Sequence, residues 1–423
     1  MARRLTGGTD RRFDSAAART YLDSMGETDV DIFISGGGIA GLAAAAAFGH
    51  AGFSVLLADP APPPETADTD ASDLRSTAFL QPARALFQEI GLWDVLAPHA
   101  VALNALRIVD TRGWPPEIVE TRTFDPGDLG ADTFGWNKPN RLTRREALRF
   151  AGRQPGVRIA LGCGFRSMLT RTGEAIVTLS DGARLRARLV IGADGRDSAV
   201  REAAGIAART IRYGQKALAF SVTHPLPHGN VSTEIYNRGG AFTTVPLPDH
   251  DGTPASAIVW MNPGPRAQAL AALPSGELSA EMTARSCNLL GPMTPAGPIR
   301  VWPVITRTAD RLTAERTALV AEAAHVLPPI GAQGLNTSLH DVAALYDLAR
   351  AAPDDLGTPR QLGRYARSRE RDIALRARAI DLFNRICQSG EAPVQAMRRA
   401  GLRATHDIPA LRRAVMRAGL GAR

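Results

Sequence analysis

Cysteine is scarce in this 423-residue chain: Cys163, Cys287 and Cys387 lie far apart, with no C-x-x-C and no metal-ligand spacing. That pattern excludes a disulfide framework or a zinc module and reads as reduced thiols in a cytosolic protein. No apolar run approaches the roughly 18 residues that a membrane span requires. A hydrophobic signal core is missing too, because residues 1 to 28 are polar and arginine-rich, so no secretory signal is expected. They read as a disordered leader, with a transit peptide as the second reading and Met25 as an alternative start ahead of the first strand. Lysine is almost wholly replaced by arginine, and the formal charge is +8. Such a balance favours nucleotide phosphates, acidic lipid surfaces or nucleic acid. No nucleic-acid motif accompanies it, so no nucleic-acid partner is expected. There is no internal repeat.

What is present is ordinary for a globular protein, with 44% hydrophobic and 22% charged residues. The length suits two packed domains, or one large α/β domain with a second one inserted. The first ordered pattern is Asp31-Ile32-Phe33-Ile34-Ser35, a buried-strand run entering Gly36-x-Gly38-x-x-Gly41 and an alanine-rich helix. Gly36 permits the tight turn, Gly38 lets the backbone approach a pyrophosphate, and Gly41 lets helix and strand pack closely. The helix N-terminus, with Ile39 and Ala40 in its first turn, offers free N–H groups to phosphates. A second strand, Ser54 to Ala58, ends at Asp59, placed to hydrogen-bond an adenosine ribose. The order strand, glycines, helix, strand, acid predicts a dinucleotide site. It does not distinguish FAD from NAD(P).

Two later blocks bear on that choice. Gly192-Ala193-Asp194-Gly195-Arg196-Asp197-Ser198-Ala199-Val200-Arg201 follows another strand. It closely resembles the G-A-D-G-x-x-S-x-V-R motif of the flavin-dependent aromatic hydroxylases. Ala321-Glu322-Ala323-Ala324-His325 through Pro328-Pro329, Gly331-Ala332-Gln333-Gly334-Leu335-Asn336, with Asp341 beyond, is similar to that family's G-D-A-A-H-x-x-P-P-x-x-G-Q-G-x-N…D run. Tyr213-Gly214-Gln215, His228, Gly240-Ala241-Phe242 and Pro246-Leu247 look like substrate-domain signatures of the ubiquinone-biosynthesis branch, the UbiH/UbiF/VisC type. With Asp73-x-Arg75 and the pair Arg144-Arg145, the resemblance covers most of residues 30 to 350.

The resemblance implies a Rossmann-like FAD-binding domain with an inserted mixed or antiparallel β-sheet substrate domain and C-terminal helices. The expected division is a leader at 1–28, FAD-binding at 29–208 with an excursion at about 103–141, and substrate sheet at 209–300. A return to the FAD domain at 301–352 and a helical region at 353–423 complete it. It also implies that NADPH or NADH reduces the flavin, docking transiently, which agrees with the lack of a second glycine fingerprint. O₂ then adds at flavin C4a, and the distal oxygen of that hydroperoxide passes to a ring carbon. The substrate would be a lipid-like phenol on the way to ubiquinone. Implied cofactor contacts are Gly36, Gly38, Ile39, Ala40, Gly41, Asp59, Arg75, Arg144, Asp194, Gly195, Glu322, Gly331, Gln333, Leu335 and Asn336. Arg196 and Arg201 would meet nicotinamide-dinucleotide phosphates or cap local acids. No base is assigned: His325 reads as scaffold, and His224 and His228 are candidates only by their position in the substrate segment.

Three departures stand out. Glu322 replaces the usual Asp, Ala321 the Gly before it, and Ala332 the first Gly of G-Q-G, with Gly331 able to take over by one place. A lost ribityl hydrogen bond would cost roughly 0.5–1.5 kcal/mol, weakening FAD without abolishing it. These departures keep open a non-catalytic subunit of a quinone-biosynthesis complex, and the shared fold keeps open a flavin reductase of isoprenoid double bonds. From Met397 onward the chain is arginine-rich, with Ile408, Leu411 and Val415 on one helical face and Arg413 and Arg417 opposite. That helix either contacts the inner face of the plasma membrane from the cytoplasm or packs with a solvated face.

Overall fold

The computed structural model describes residues 28–62 and 75–421. The expected leader, Met25 and Asp73 lie outside the described residues. The fold is mixed α/β and is organised by two large sheets and a small bridging one.

The first sheet runs Thr313–Ala314, Thr317–Leu319, Arg184–Gly192, Thr28–Ser35, Val55–Asp59, Val157–Leu161. Thr28–Ser35 lies parallel to both of its neighbours, with Ile34 opposite Ile191 and Leu57. Ile32, Phe33 and Ile34 are fully buried: helix Ile39–His50 lies on one side, and on the other Phe33 packs on Phe165 of strand Phe165–Thr170 at 6.3 Å, so the strand needs no polar side. Helix Ile39–His50 lies against this sheet. Its run Ala43–Ala47 is buried throughout, and side chains that small let the helix axis approach the strands. Helix Gln333–Ala351 packs on it from outside, with Tyr346 edge-on to Phe48 at 6.2 Å.

The second sheet has nine strands. Its main path is His325–Val326, Arg300–Ala309, Ala208–Thr223, Thr253–Pro263, Ala241–His250, Val231–Tyr236, Ala105–Arg112, Glu117–Phe124. Only the pairing of Val231–Tyr236 with Ala105–Arg112 is parallel. Side chains alternate across this sheet. Leu218, Phe220, Ile235, Phe242, Ile258 and Trp260 face helices Gly264–Ala271 and Ser275–Arg285, in a core with Leu270 and Met282. Ala217, Ala219, Glu234, Tyr236 and Val259 face the other way, into a cavity. The return to the first sheet comes later than residue 301. Arg300–Ala309 still pairs with Ala208–Thr223 along its length, and the first-sheet strand is Thr317–Leu319. The excursion at 103–141 also divides: Ala105–Phe124 joins the second sheet, while Gly135–Pro139 joins Ser76–Leu80 and Val101–Leu103 in the bridging sheet.

The chain closes with helices Pro359–Gln388, Ala392–Asp407 and Pro409–Leu420. The first starts on a Thr358 side-chain cap to Gln361 N with proline in its first turn, both standard start signals. No helix among the described residues is long and apolar enough to cross a membrane.

Candidate active site

The glycine turn has the geometry its spacing predicts. Gly36 has φ +110°, and a Cβ there would meet Ala193 O at 2.4 Å. A Cβ on Gly41 would meet Gly36 O at 2.0 Å, whereas one on Gly38 would point into open space. Gly36 and Gly41 are thus forced by packing, and the Gly38 backbone is left clear for a ligand. Asp59 closes this end: its Oδ2 accepts from Gly37 N at 2.5 Å and its Oδ1 from Ala61 N at 2.8 Å. Arg144 donates from Nε to Gly37 O at 2.7 Å and lies 3.7 Å from Asp59. A carboxylate has about four acceptor sites, so Asp59 retains capacity for a ribose hydroxyl.

Asp194 is engaged by its own turn. It accepts from Ser198 Oγ at 2.5 Å and from Val200 N at 3.1 Å, capping the short helix Ala199–Ala203. Arg201 is buried and donates to Ala323 O and Arg196 O, both at 2.9 Å. It therefore neither meets dinucleotide phosphates nor caps an acid; it ties the Gly195 turn to the 321–324 turn. Arg196 lies 3.8 Å from Glu322, and Arg75 stacks over Trp302 at 4.9 Å.

The third block is held by buried Asp341, which accepts from Ala321 N at 3.1 Å, His325 Nε2 at 2.6 Å and Arg369 Nε at 2.9 Å. These partners hold the Asp341 carboxyl below the usual carboxylate range, even though burial alone would raise it. His325 is scaffold in this arrangement, as its sequence context implies. Ala321 and Ala332 both occupy the left-handed region, at φ +58° and +55°, as does Gly331 at +60°. The alanines that replace glycine thus keep the glycine backbone, at a cost of roughly 1–2 kcal/mol per residue. Asn336 is a staple: it accepts from Leu80 N at 2.9 Å and donates to Ala78 O and Ala332 O, both at 2.7 Å. Gln333 reaches the C-terminal helices, donating to Gly419 O and accepting from Arg376.

One cavity of about 1230 Å³ joins these parts. It is lined by Gly36, Gly38, Ile39, Ala40, Asp59, Arg75, Arg144, Asp194, Gly195, Glu322, Gly331, Gln333 and Leu335. Gly41 and Asn336 stand behind that wall and act through packing and backbone bonds. The volume exceeds the roughly 300–1,000 Å³ of an ordinary small-molecule pocket, so there is room for a long cofactor and a substrate together. The clear backbone at Gly38 and the N-termini of helices Ile39–His50 and Gln333–Ala351 on the same cavity fit FAD.

His224 and His228 are not part of the site. His224 is bound to Leu226 O and Ser256 Oγ, and His228 to Leu247 O and Asn230 N. Both tether loops outside the cavity wall. Tyr213 and Gln215 tie the second sheet to helix Pro359–Gln388 through Asp381 and Asn384. Sequence reasoning missed Glu234, Tyr236, Asp110 and Arg398, all of which line the cavity. The available signal was the alternation Ser232-x-Glu234-x-Tyr236, a polar stripe on one face of a strand.

The FAD binding domain model FAD_binding_3 matches residues 29–375. "Ubiquinone hydroxylase UbiL" from Rhodospirillum rubrum is 34% identical over 411 residues, covering 96% of this chain and 93% of that relative. The chain belongs to this family of FAD-dependent monooxygenases. The 3-demethoxyubiquinol 3-hydroxylase of Escherichia coli is 28% identical over 401 residues, covering 94% of this chain and all of that one. The fold agrees with the crystal structure of p-nitrophenol 4-monooxygenase PnpA from Pseudomonas putida DLL-E4 at TM-score 0.75, with 19% identity over 94% of this chain and 100% of that one. As a member of the family the protein is an FAD-dependent aromatic monooxygenase, with NAD(P)H the electron donor typical of the class.

Proposed function

We propose that this protein hydroxylates the ring of a polyprenylated phenol on the route to ubiquinone, using NAD(P)H and O₂. The observation that carries the reading is the shared cavity: a dinucleotide turn at one end and an apolar chamber at the other. That chamber is lined by Leu103, Phe124, Phe134, Leu402, Met416 and Leu420, a surface suited to an isoprenoid tail.

FAD held here would supply electron transfer from NAD(P)H and oxygen transfer from O₂. The protein's part is binding and orientation. Backbone N–H groups at the start of Ile39–His50 would receive the pyrophosphate, and Asp59 with Arg144 the ribose end. The helix Gln333–Ala351 brings its N-terminus to the cavity, where its dipole favours negative charge. Ala217, Ala219 and Val259 offer a flat apolar floor for a ring and exclude water from it.

The same terminal helices support peripheral contact with an anionic membrane. They pack through Met416 and Leu420 but leave Met397, Ile408, Leu411 and Val415 exposed. A tail could then enter from the lipid directly into the chamber. The test is the quinone-precursor profile of a strain lacking this gene. An under-hydroxylated prenylphenol should accumulate, and purified enzyme should incorporate label from ¹⁸O₂. An unchanged profile removes the ubiquinone assignment; reduction of an isoprenoid double bond without label would favour the reductase.

A further inference from the structure

Most carboxylates and histidines on the cavity wall already have a structural partner. Asp194 caps its turn, Asp110 accepts from Arg398 at 2.5 Å, and His325 is fixed on Asp341. Asp59 belongs to the dinucleotide end, and Glu322 faces Arg196. Glu234 differs. It projects from strand Val231–Tyr236 into the cavity, is fully enclosed, and accepts from the Tyr236 hydroxyl and from Gly331 N–H. That second bond places its carboxyl against the turn that precedes helix Gln333–Ala351. Two acceptor sites of about four are filled, so a substrate O–H can still be received.

We infer that Glu234 is the catalytic base that takes the proton from the substrate's ring hydroxyl, with Tyr236 as its positioning residue. This rests on the phenol-hydroxylase reading above. The O–H bond breaks, the proton moves to the Glu234 carboxylate, and the bonding pair stays on oxygen as a phenolate. Nothing is oxidised or reduced in this step. The phenolate is the electron-rich form that an oxygen-transfer reaction requires.

The surroundings suit a base. Burial raises the Glu234 carboxyl above its ordinary value, opposed by the hydrogen bonds from Tyr236 and Gly331. A raised carboxyl is a stronger proton acceptor than an exposed one. From the neighbouring strand and the helix Ala392–Asp407 the Asp110–Arg398 pair faces Tyr236, and from helix Pro359–Gln388 Cys387 faces both Tyr236 and Glu234. Burial pushes the Cys387 thiol and the Tyr236 phenol upward, so both stay neutral. Arg398 also keeps one buried nitrogen, NH2, without a hydrogen-bond partner; it lines the same cavity and would favour a nearby anion.

The test uses FAD-loaded full-length enzyme and 2-prenyl-4-nitrophenol, whose ionisation is read by difference absorbance without turnover. Above the acid limb of its rate profile, wild-type enzyme should bind the probe as phenolate with no matching proton release to a pH indicator, because the proton stays on Glu234. In Glu234→Gln any phenolate formed should release its proton to solvent, with FAD content unchanged, and prenylphenol hydroxylation should fall by roughly 10²–10⁴-fold. In Tyr236→Phe the acid limb of the rate profile should move to higher pH, because a bond that lowers the Glu234 pKa is gone. Wild-type ionisation that releases a full proton, or Glu234→Gln ionisation that releases none, overturns the assignment. Should that variant fail to fold, an unmoved acid limb in Tyr236→Phe overturns it. Wild-type enzyme that ionises the probe but never hydroxylates a phenol would instead refute the hydroxylase reading.

Discussion

Gly41 shows how local the strongest signal is. Its role was legible because the turn, helix and strand it joins are contiguous in sequence, and the 2.0 Å approach to Gly36 O shows why no side chain is allowed. Gly41→Ala should yield protein lacking flavin absorbance at 450 nm, ~10-fold or more below wild type on the scale of 1.4 kcal/mol per decade. Asp341 was legible only as the end of a motif; its ties to His325 and Arg369 came from the fold. Its folded pKa lies below the ordinary carboxylate value, so its stabilisation is present above the unfolded pKa. It is lost as pH falls through the folded one. Asp341→Asn should remove that acid-side slope in urea unfolding. By leaving Arg369 buried beside a neutral amide, it should also cost about 3–5 kcal/mol at neutral pH.

Whole elements were legible where periodicity was strong and short-range. Helix Ile39–His50 starts at the expected Ile39, and strand Val55–Asp59 lies within one residue of its expected bounds. The long strand Arg300–Ala309 was assigned to the wrong sheet, because pairing partners ninety residues away leave no local trace. The same holds for Glu234, whose contact with Gly331 joins segments far apart in sequence. The terminal helices pack through Met416 and Leu420, while Ile408 and Leu411 remain exposed and carry the proposed membrane contact. Replacing those two by Asp should cut sedimentation with anionic vesicles several-fold, on the scale of about 0.8 kcal/mol per buried CH₂. FAD content and thermal stability should stay unchanged, and equal sedimentation would remove the membrane reading.

For the molecule as a whole, the cavity is the joint between its two large sheets, with Gly38 on one side and Val259 on the other. A ligand bound there stabilises both at once. FAD at about a hundredfold its Kd should raise unfolding free energy by about 2.7 kcal/mol. Trp260 and Trp302, on the second sheet, should report the same midpoint increase as far-ultraviolet dichroism. A rise seen by dichroism alone would mean that the sheets unfold separately. The left-handed alanines at 321 and 332 bear on this balance, since both line the cavity proposed to hold the cofactor.

The alternation along Ala208–Thr223 has a further use for anyone wishing to retune this enzyme. Odd-numbered Ala217 and Ala219 line the cavity where the proposed substrate ring would lie, while even-numbered Leu218 and Phe220 belong to the core behind. Enlarging either alanine to valine should favour smaller phenols with little change in melting temperature. The equivalent trimming of Leu218 or Phe220 to alanine should cost about 2–5 kcal/mol and leave selectivity alone. Preference and robustness are thus written on opposite parities of one strand and can be edited independently.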